Sequence, residues 1–304
     1  MLFTKKCVFD DGLPGGERNF AKDPAVINLD GTYFLYFSAY DNSDRKKLRI
    51  GIAQSSDMES WNFITLLPIE GECEKNGVGA PAAFLKNGTV HLFYQTYGNG
   101  KKDAICHAFS KDGINFERDS TNPIFSPSTD WCCGRAIDAD VVEFNDKLFL
   151  YFATRDSEFI KQMVGVAYCD INSDYSKQTW TQGKNSPCVA PELSWEKNCI
   201  EAPATVVDDG KIYMFYGGAY NCEPQQIGVA VSDNGIDFVR LSDEPFMKNG
   251  NKGEWNESES GHPYVFKDID SKVYLFFQGS PDKGENWYLS KFQIDFADGK
   301  PVII

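Results

Sequence analysis

One phrase returns five times along the 304-residue chain, and this repetition constrains the fold more than any other feature. It opens on a small or acidic residue, usually near a proline. It then runs through a short apolar strand and a turn into an aromatic-rich strand. It reads DPAVINLDGTYFLYFSAY from Asp23, APAAFLKNGTVHLFYQTY from Ala80 and DADVVEFNDKLFLYFATR from Asp138. It recurs as EAPATVVDDGKIYMFYGG from Glu201 and HPYVFKDIDSKVYLFFQG from His262.

The turns are Asp30-Gly31, Asn87-Gly88, Asn145-Asp146, Asp209-Gly210 and Asp270-Ser271. Such pairs reach the positive φ that tight hairpins need. A second unit follows the hairpin, seen as IGIAQSSDMESWNF, CHAFSKDGINF, VGVAYCD and IGVAVSDNGIDF, with small residues on a strand and then a polar turn. Two hairpins per repeat make a four-stranded antiparallel blade. Five blades around an axis predict an all-β, five-bladed β-propeller occupying residues 1–304 as one domain. A sandwich has no need of five similar units, and a β-helix repeat is far shorter. Aromatic residues at 14% of the chain, led by 23 Phe and 14 Tyr, agree with strands.

The net charge of −14 argues against nucleic acid or an anionic membrane as partner and imposes no penalty on uncharged sugars. Met1 to Asp10 lacks the apolar core of a signal peptide and no apolar run is long enough to span a bilayer, so the expectation is a cytoplasmic protein. Nine cysteines without a Cys-x-x-Cys pair fit free thiols better than a zinc site.

The repeat also locates the chemistry. The innermost strand of each blade lines the central channel, so five strand openings converge on one mouth, carrying Asp23, Ala80, Asp138, Glu201 and His262. Singly, each has an ordinary reading as a turn residue, strand-face polar group or structural histidine. Together they bring three carboxylates into one small space, which repulsion makes unfavourable for stability alone. Glu201 lies two residues before its proline, whereas Asp23 and His262 lie one before theirs, so a bulge is required to bring them level. Glycoside hydrolysis needs such carboxylates: a base that activates water and an acid that protonates the leaving oxygen. A third can hold the acid protonated by like-charge repulsion.

At these residues the chain resembles glycoside hydrolase family 43 and its five-bladed relatives, through all five repeats. The resemblance implies that Asp23, in Asp23-Pro24, is the base. Asp138, in Ile137-Asp138-Ala139, tunes and orients the acid, and Glu201, in Glu201-Ala202-Pro203, is that acid. The run from Ser55 to Trp61 resembles a first-blade phrase of the family, and His262 after Gly261 resembles an axial histidine. That histidine implies a structural calcium or water cluster on the axis, with no cofactor required for turnover. Ala139 and Ala202 depart from the family's Pro and Gly and point to a distant subfamily.

Around the mouth, Phe20, Trp131 and Trp255 are candidate sugar platforms, equally readable as covers of blade edges. Arg135 is a candidate donor to a carboxylate or sugar hydroxyl, and Ala80 and His262 complete the candidate substrate-binding set. The expectation is an inverting glycosidase acting on α-L-arabinofuranosyl, β-xylosyl or related linkages in short oligosaccharides. The alternatives are a glycoside phosphorylase of a related five-bladed family, or a sugar-binding propeller without catalysis. Oligomeric state is not legible.

Overall fold

Each repeat folds into one antiparallel sheet because its turns are chemically suited to reversal. Asp30, Asn87, Asn145 and Asp209 have φ of 52°, 50°, 49° and 44°, each followed by a second positive-φ residue. Two such residues make the hairpin turn whose twist matches its strands. The fifth hairpin differs: its pairing ends at Lys267 and Val273, and Asp268 closes a wider loop by backbone bonds to Lys272 and Ser271.

The computed structural model describes residues 20–40 and 47–304. The leader-free reading of Met1 to Asp10, and Cys7, lie outside them. The first sheet holds β1 (Lys22–Leu29), β2 (Thr32–Tyr40), β3 (Leu48–Ser55) and β4 (Asn62–Leu66). The second holds β5 (Val78–Lys86), β6 (Thr89–Thr96), β7 (Ile105–Ser110) and β8 (Glu117–Arg118). The third holds β9 (Ile137–Phe144), β10 (Lys147–Arg155), β11 (Gln162–Asp170) and β12 (Thr181–Gln182). The fourth holds β13 (Ile200–Asp208), β14 (Lys211–Gly218), β15 (Gln226–Ser232) and β16 (Val239–Arg240). The fifth holds β17 (Glu259–Lys267), β18 (Val273–Ser280), β19 (Tyr288–Ala297) and β20 (Lys300–Ile303).

In every sheet the strands lie in chain order. The inner strands β1, β5, β9, β13 and β17 touch one another in a closed ring, which makes the molecule a five-bladed β-propeller. The ring closes where Phe20 bridges Trp287 and the Ala21 amide donates to the Trp287 carbonyl at 3.3 Å.

The small residues of the third strands have a packing reason. A Cβ at Gly51, Gly165 or Gly228 would lie 2.5–2.6 Å from the ring of Phe37, Phe152 or Tyr216 on the neighbouring second strand. Ring and glycine are therefore a matched pair. Between blades, Tyr36 and Tyr151 donate to the carbonyls of Gly113 and Gly235 in the outer turns of the next blades, at 2.9 and 2.8 Å. The run from Ser55 to Trp61 is such an outer turn. Asp57 accepts the amides of Glu59 and Ser60 there, so this phrase serves the fold at the end away from the mouth.

Candidate active site

All five inner strands carry the same irregularity at the mouth. Asp23, Ala80, Asp138, Ala202 and His262 have φ between 40° and 51°, and the pairing slips at each of these points. Positive φ in non-glycine residues costs energy, so something must hold them there. Four amides are held by side chains of the preceding blade. Asp23 N donates to Gln278 Oε1 at 3.1 Å, and Ala80 N to Ser38 Oγ at 2.8 Å. Asp138 N donates to Gln95 Oε1 at 2.7 Å, and His262 N to Gln225 Oε1 at 3.1 Å.

This bulge resolves the offset in the sequence. The positional match of Asp23, Asp138 and His262 is Ala202, and Glu201 matches Lys22, Gly79, Ile137 and Gly261. A bulge presents two consecutive residues where a regular strand presents one. Glu201 and Lys22 therefore both reach the axis from the position before the bulge residue.

The carboxylates converge on His262. Its Nδ1 lies 2.7 Å from Asp23 Oδ1 and its Nε2 3.2 Å from Glu201 Oε1. One imidazole thus separates the two acids. Glu201 also accepts from Gln225 Nε2 at 2.7 Å, Asn221 Nδ2 at 3.1 Å and Gln162 Nε2. Asn221 in turn accepts from Lys22 Nζ at 2.9 Å and Gln278 Nε2 at 3.1 Å. Gln278 also donates to the buried Glu259 at 2.6 Å.

A small axial cavity of about 20 Å³, lined by Asp23, Ala80, Asp138, Asp140, Ala202 and His262, has room for a water. Its walls are tied together by two contacts. Tyr264 of the fifth blade donates across the axis to the Ala83 carbonyl of the second at 2.9 Å. Asp140 accepts Thr205 N at 2.7 Å and Thr205 Oγ1 at 2.5 Å.

Burial and mutual charge set the protonation states. Burial alone would lower the His262 pKa, but Asp23, Glu201 and Asp138 around it raise it well above the ordinary histidine range. The surrounding carboxylates thus favour its charged form. Burial pushes Asp23 upward, yet the His262 charge and hydrogen bond, with Lys22, hold it well below the usual carboxylate range. Asp138 is pushed up to about 7, first by burial and then by Glu201 and Asp23, against the pull of His262. The expected upward push of Asp138 on Glu201 is not what dominates. In this arrangement burial raises Glu201, but His262, Gln225 and Lys22 outweigh it and keep it below its ordinary value. Asp138, one of whose oxygens, Oδ2, is buried without a hydrogen-bond partner, is thus the carboxyl of the two that is pushed toward its protonated form.

Asp138, Glu201 and His262 each offer a ligand atom within 4.8 Å of the others. Calcium takes six to eight oxygens, so these three residues would hold it only with further oxygen ligands such as water.

The other candidates divide. Phe20 packs on Tyr40 with ring centroids 4.2 Å apart, beside Lys22 and Trp287 at the rim. Arg135 lies beside Asp103, at 3.6 Å, and adds its charge near Asp138. Trp131 and Trp255 rest against Gly165 and Gly279, the blade-covering role that the sequence allowed equally. Lys22, Gln162, Asn221, Gln225 and Gln278 escaped the sequence argument. Two of them had a signal: Gln162 and Gln225 stand just ahead of the small-residue strands MVGVA and QIGVA.

A closed five-bladed propeller with buried, coupled carboxylates at its mouth defines a carbohydrate-active enzyme of the glycosidase class. The family model for glycosyl hydrolases family 43 matches residues 17–300, and the chain belongs to that family as a glycosidase. Among solved structures, a thermostable family-43 glycoside hydrolase superposes with TM-score 0.74 at 21% identity, covering 93% of this chain and 92% of its own. An α-L-arabinofuranosidase from Lactobacillus brevis superposes with TM-score 0.69 at 15% identity, covering 92% and 93%. A 1,2-β-oligomannan phosphorylase of Thermoanaerobacter sp. (strain X514) is 27% identical over 217 residues, 69% of this chain and 67% of that protein. Among the described residues no helix is long and apolar enough to cross a membrane.

Proposed function

We propose that the protein is an inverting glycosidase in which Asp23 is the base, Glu201 delivers the proton and Asp138 stores it. The observation that carries this reading is the single imidazole between Asp23 and Glu201. With contacts of 2.7 and 3.2 Å on either side, it stands between the two carboxylates and keeps them from direct contact. Inverting enzymes leave about 6.5–9.5 Å for a water between base and sugar, whereas retaining enzymes need about 5–5.5 Å. Asp23, ionised by its two cations, can accept a proton from that water. Asp138 and Glu201 titrate as a pair with one proton. A leaving oxygen approaching Glu201 draws that proton through it, and His262 fixes both carboxylates in orientation.

The glycone we propose is α-L-arabinofuranosyl or β-xylosyl, cleaved from short oligosaccharides. The resemblance to the Lactobacillus brevis enzyme in fold supports the furanosyl option. The likeness to an oligomannan phosphorylase supports a second reading, in which phosphate replaces water. A screen of aryl arabinofuranosides, xylosides, galactosides, fructosides and mannosides, run with and without inorganic phosphate, tests both. Proton NMR of the first-formed sugar should show the inverted anomer, with turnover independent of phosphate and of chelators. A retained anomer would sink the mechanism, and a sugar 1-phosphate would establish the phosphorylase.

A further inference from the structure

Three cations gather around one aromatic ring beside Glu201, in a protein whose net charge is −14. The ring is Phe159, in the loop between β10 and β11 at the mouth. The Arg155 guanidinium carbon lies 4.4 Å from its centroid, Lys101 Nζ 5.3 Å and the Arg135 guanidinium carbon 6.0 Å. Arg155 also stands 5.2 Å from the ring of Tyr220. Its Nε donates to Gln162 Oε1 at 3.0 Å, and Gln162 in turn donates to Glu201, so this cluster adjoins the acid through one amide.

The charges are poorly compensated. Among the described residues neither Arg155 nor Lys101 has a carboxylate within ion-pair distance, and the one partner of Arg135 is Asp103 at 3.6 Å. Arg135 Nε is buried with no hydrogen-bond partner. An aromatic face attracts one cation modestly, but three around one ring repel each other, and fold stability gives no reason for the arrangement. An oxyanion placed among them supplies the missing charge and accepts the forked guanidinium donors.

We infer that Arg155, Arg135 and Lys101, arranged on Phe159, form a subsite for an anionic group, a carboxylate or phosphate ester, carried by the leaving part of the substrate. This rests on Glu201 being the acid, since the acid marks the leaving-group side. A phosphate acting as nucleophile attacks the face of the sugar opposite the leaving oxygen, so with Glu201 as the acid an anion bound beside Glu201 belongs to the leaving group.

The test takes the sugar identified by the aryl-glycoside screen and compares three leaving groups: 4-carboxyphenyl, 4-phosphophenyl and the neutral 4-carbamoylphenyl. Wild type should prefer at least one charged leaving group by tenfold or more in kcat/KM, the preference shrinking in high salt. Whichever charged group wins identifies the source as carboxylate or phosphate ester. In Arg155→Gln and Arg135→Gln the charged-to-neutral ratio should fall at least tenfold, whereas a merely structural role lowers all rates together and leaves the ratio intact. An unchanged ratio overturns the inference, as does a sugar 1-phosphate product formed from inorganic phosphate. If no glycoside is turned over, the glycosidase reading fails separately. The subsite is then read by calorimetric titration with glucuronate and with inorganic phosphate. Binding of either that weakens tenfold or more in the Arg135→Gln/Arg155→Gln double variant supports it, and no binding, or binding unaffected by that variant, rejects it.

Discussion

The axis and the blade edges both bury carboxylates, and they treat them in opposite ways. At the edge of the second blade Glu74 accepts Tyr94 Oη at 2.5 Å, Arg118 Nε at 2.9 Å and the Glu70 amide at 2.8 Å. The fourth blade repeats the device. Glu196 takes Arg240 through Nε and Nη2, both at 2.8 Å, Tyr216 Oη at 2.8 Å, and the amides of Glu192 and Leu193. Each of these glutamates has its own cation and a full set of donors. At the axis, Asp23, Asp138, Glu201 and Glu259 crowd around His262 and Lys22, with Arg135 acting on Asp138 from further off, and Asp138 keeps an oxygen unpaired toward a water-sized cavity. Burial of charge therefore does not distinguish chemistry from architecture. Incomplete compensation beside a cavity does.

The sharpest way to break this contrast is to neutralise the axis. Asp23→Asn and Glu201→Gln should each lower kcat/KM by about 10²–10⁴-fold, the usual contribution of a positioned acid or base. Each should also cost some stability, because the folded site holds both carboxylates below their ordinary pKa and so favours their charged forms. Steady-state kinetics beside calorimetry would read both effects, and a large stability loss with modest rate loss would place these residues with the edge glutamates.

The reciprocal change at the edge is Glu196→Ala, which leaves Arg240 and Tyr216 without their acceptor. We expect a loss of about 3–5 kcal/mol in denaturant unfolding, as for other broken buried pairs, with KM unchanged in the folded fraction. A loss below about 1 kcal/mol would mean that the clamp is not the structural device described.

Asp138→Asn should have a smaller effect, lowering kcat by about 10–100-fold, an order of magnitude below loss of the acid itself. Its signature is the pH profile. Wild-type activity should fall as pH rises through about 7, where the raised Asp138 carboxyl gives up the shared proton. Without that store the alkaline limb should move to lower pH, and an unmoved limb would deny Asp138 its role.

The smallest expected effect separates Asp138 from its strand neighbour. Asp140 is also pushed up to about 7, by burial that its bonds from Thr205 only partly offset. A carboxyl raised in the folded state stabilises most below its unfolded pKa and loses that contribution as pH rises through its folded value. Asp140→Asn should therefore gain stability relative to wild type progressively as pH rises from 4 to 8. Catalysis should be nearly unaffected. A pH-independent difference would mean that Asp140 stays ionised throughout.

Much of this was legible in the chain because repetition is a one-dimensional property. The turns Asp30-Gly31 and Asn87-Gly88, the glycine-bearing third strands and the aromatic second strands fix hairpins, blade content and blade number through local backbone preference and side-chain size. The openings at Asp23, Asp138, Glu201 and His262 were equally readable, because five equivalent strands around an axis must bring their first residues together.

Tertiary structure alone decided what those residues do to one another. The bulge that brings Glu201 level with Asp23 depends on amides held by side chains of the preceding blades, as Gln278 and Gln225 hold Asp23 and His262. The placing of His262 between Asp23 and Glu201, the upward push on the Asp138 carboxyl, and the gathering of Lys101, Arg135 and Arg155 on Phe159 join groups from different blades. Electrostatic energy depends on distance and burial in three dimensions, and neither is encoded in the spacing of residues along the chain.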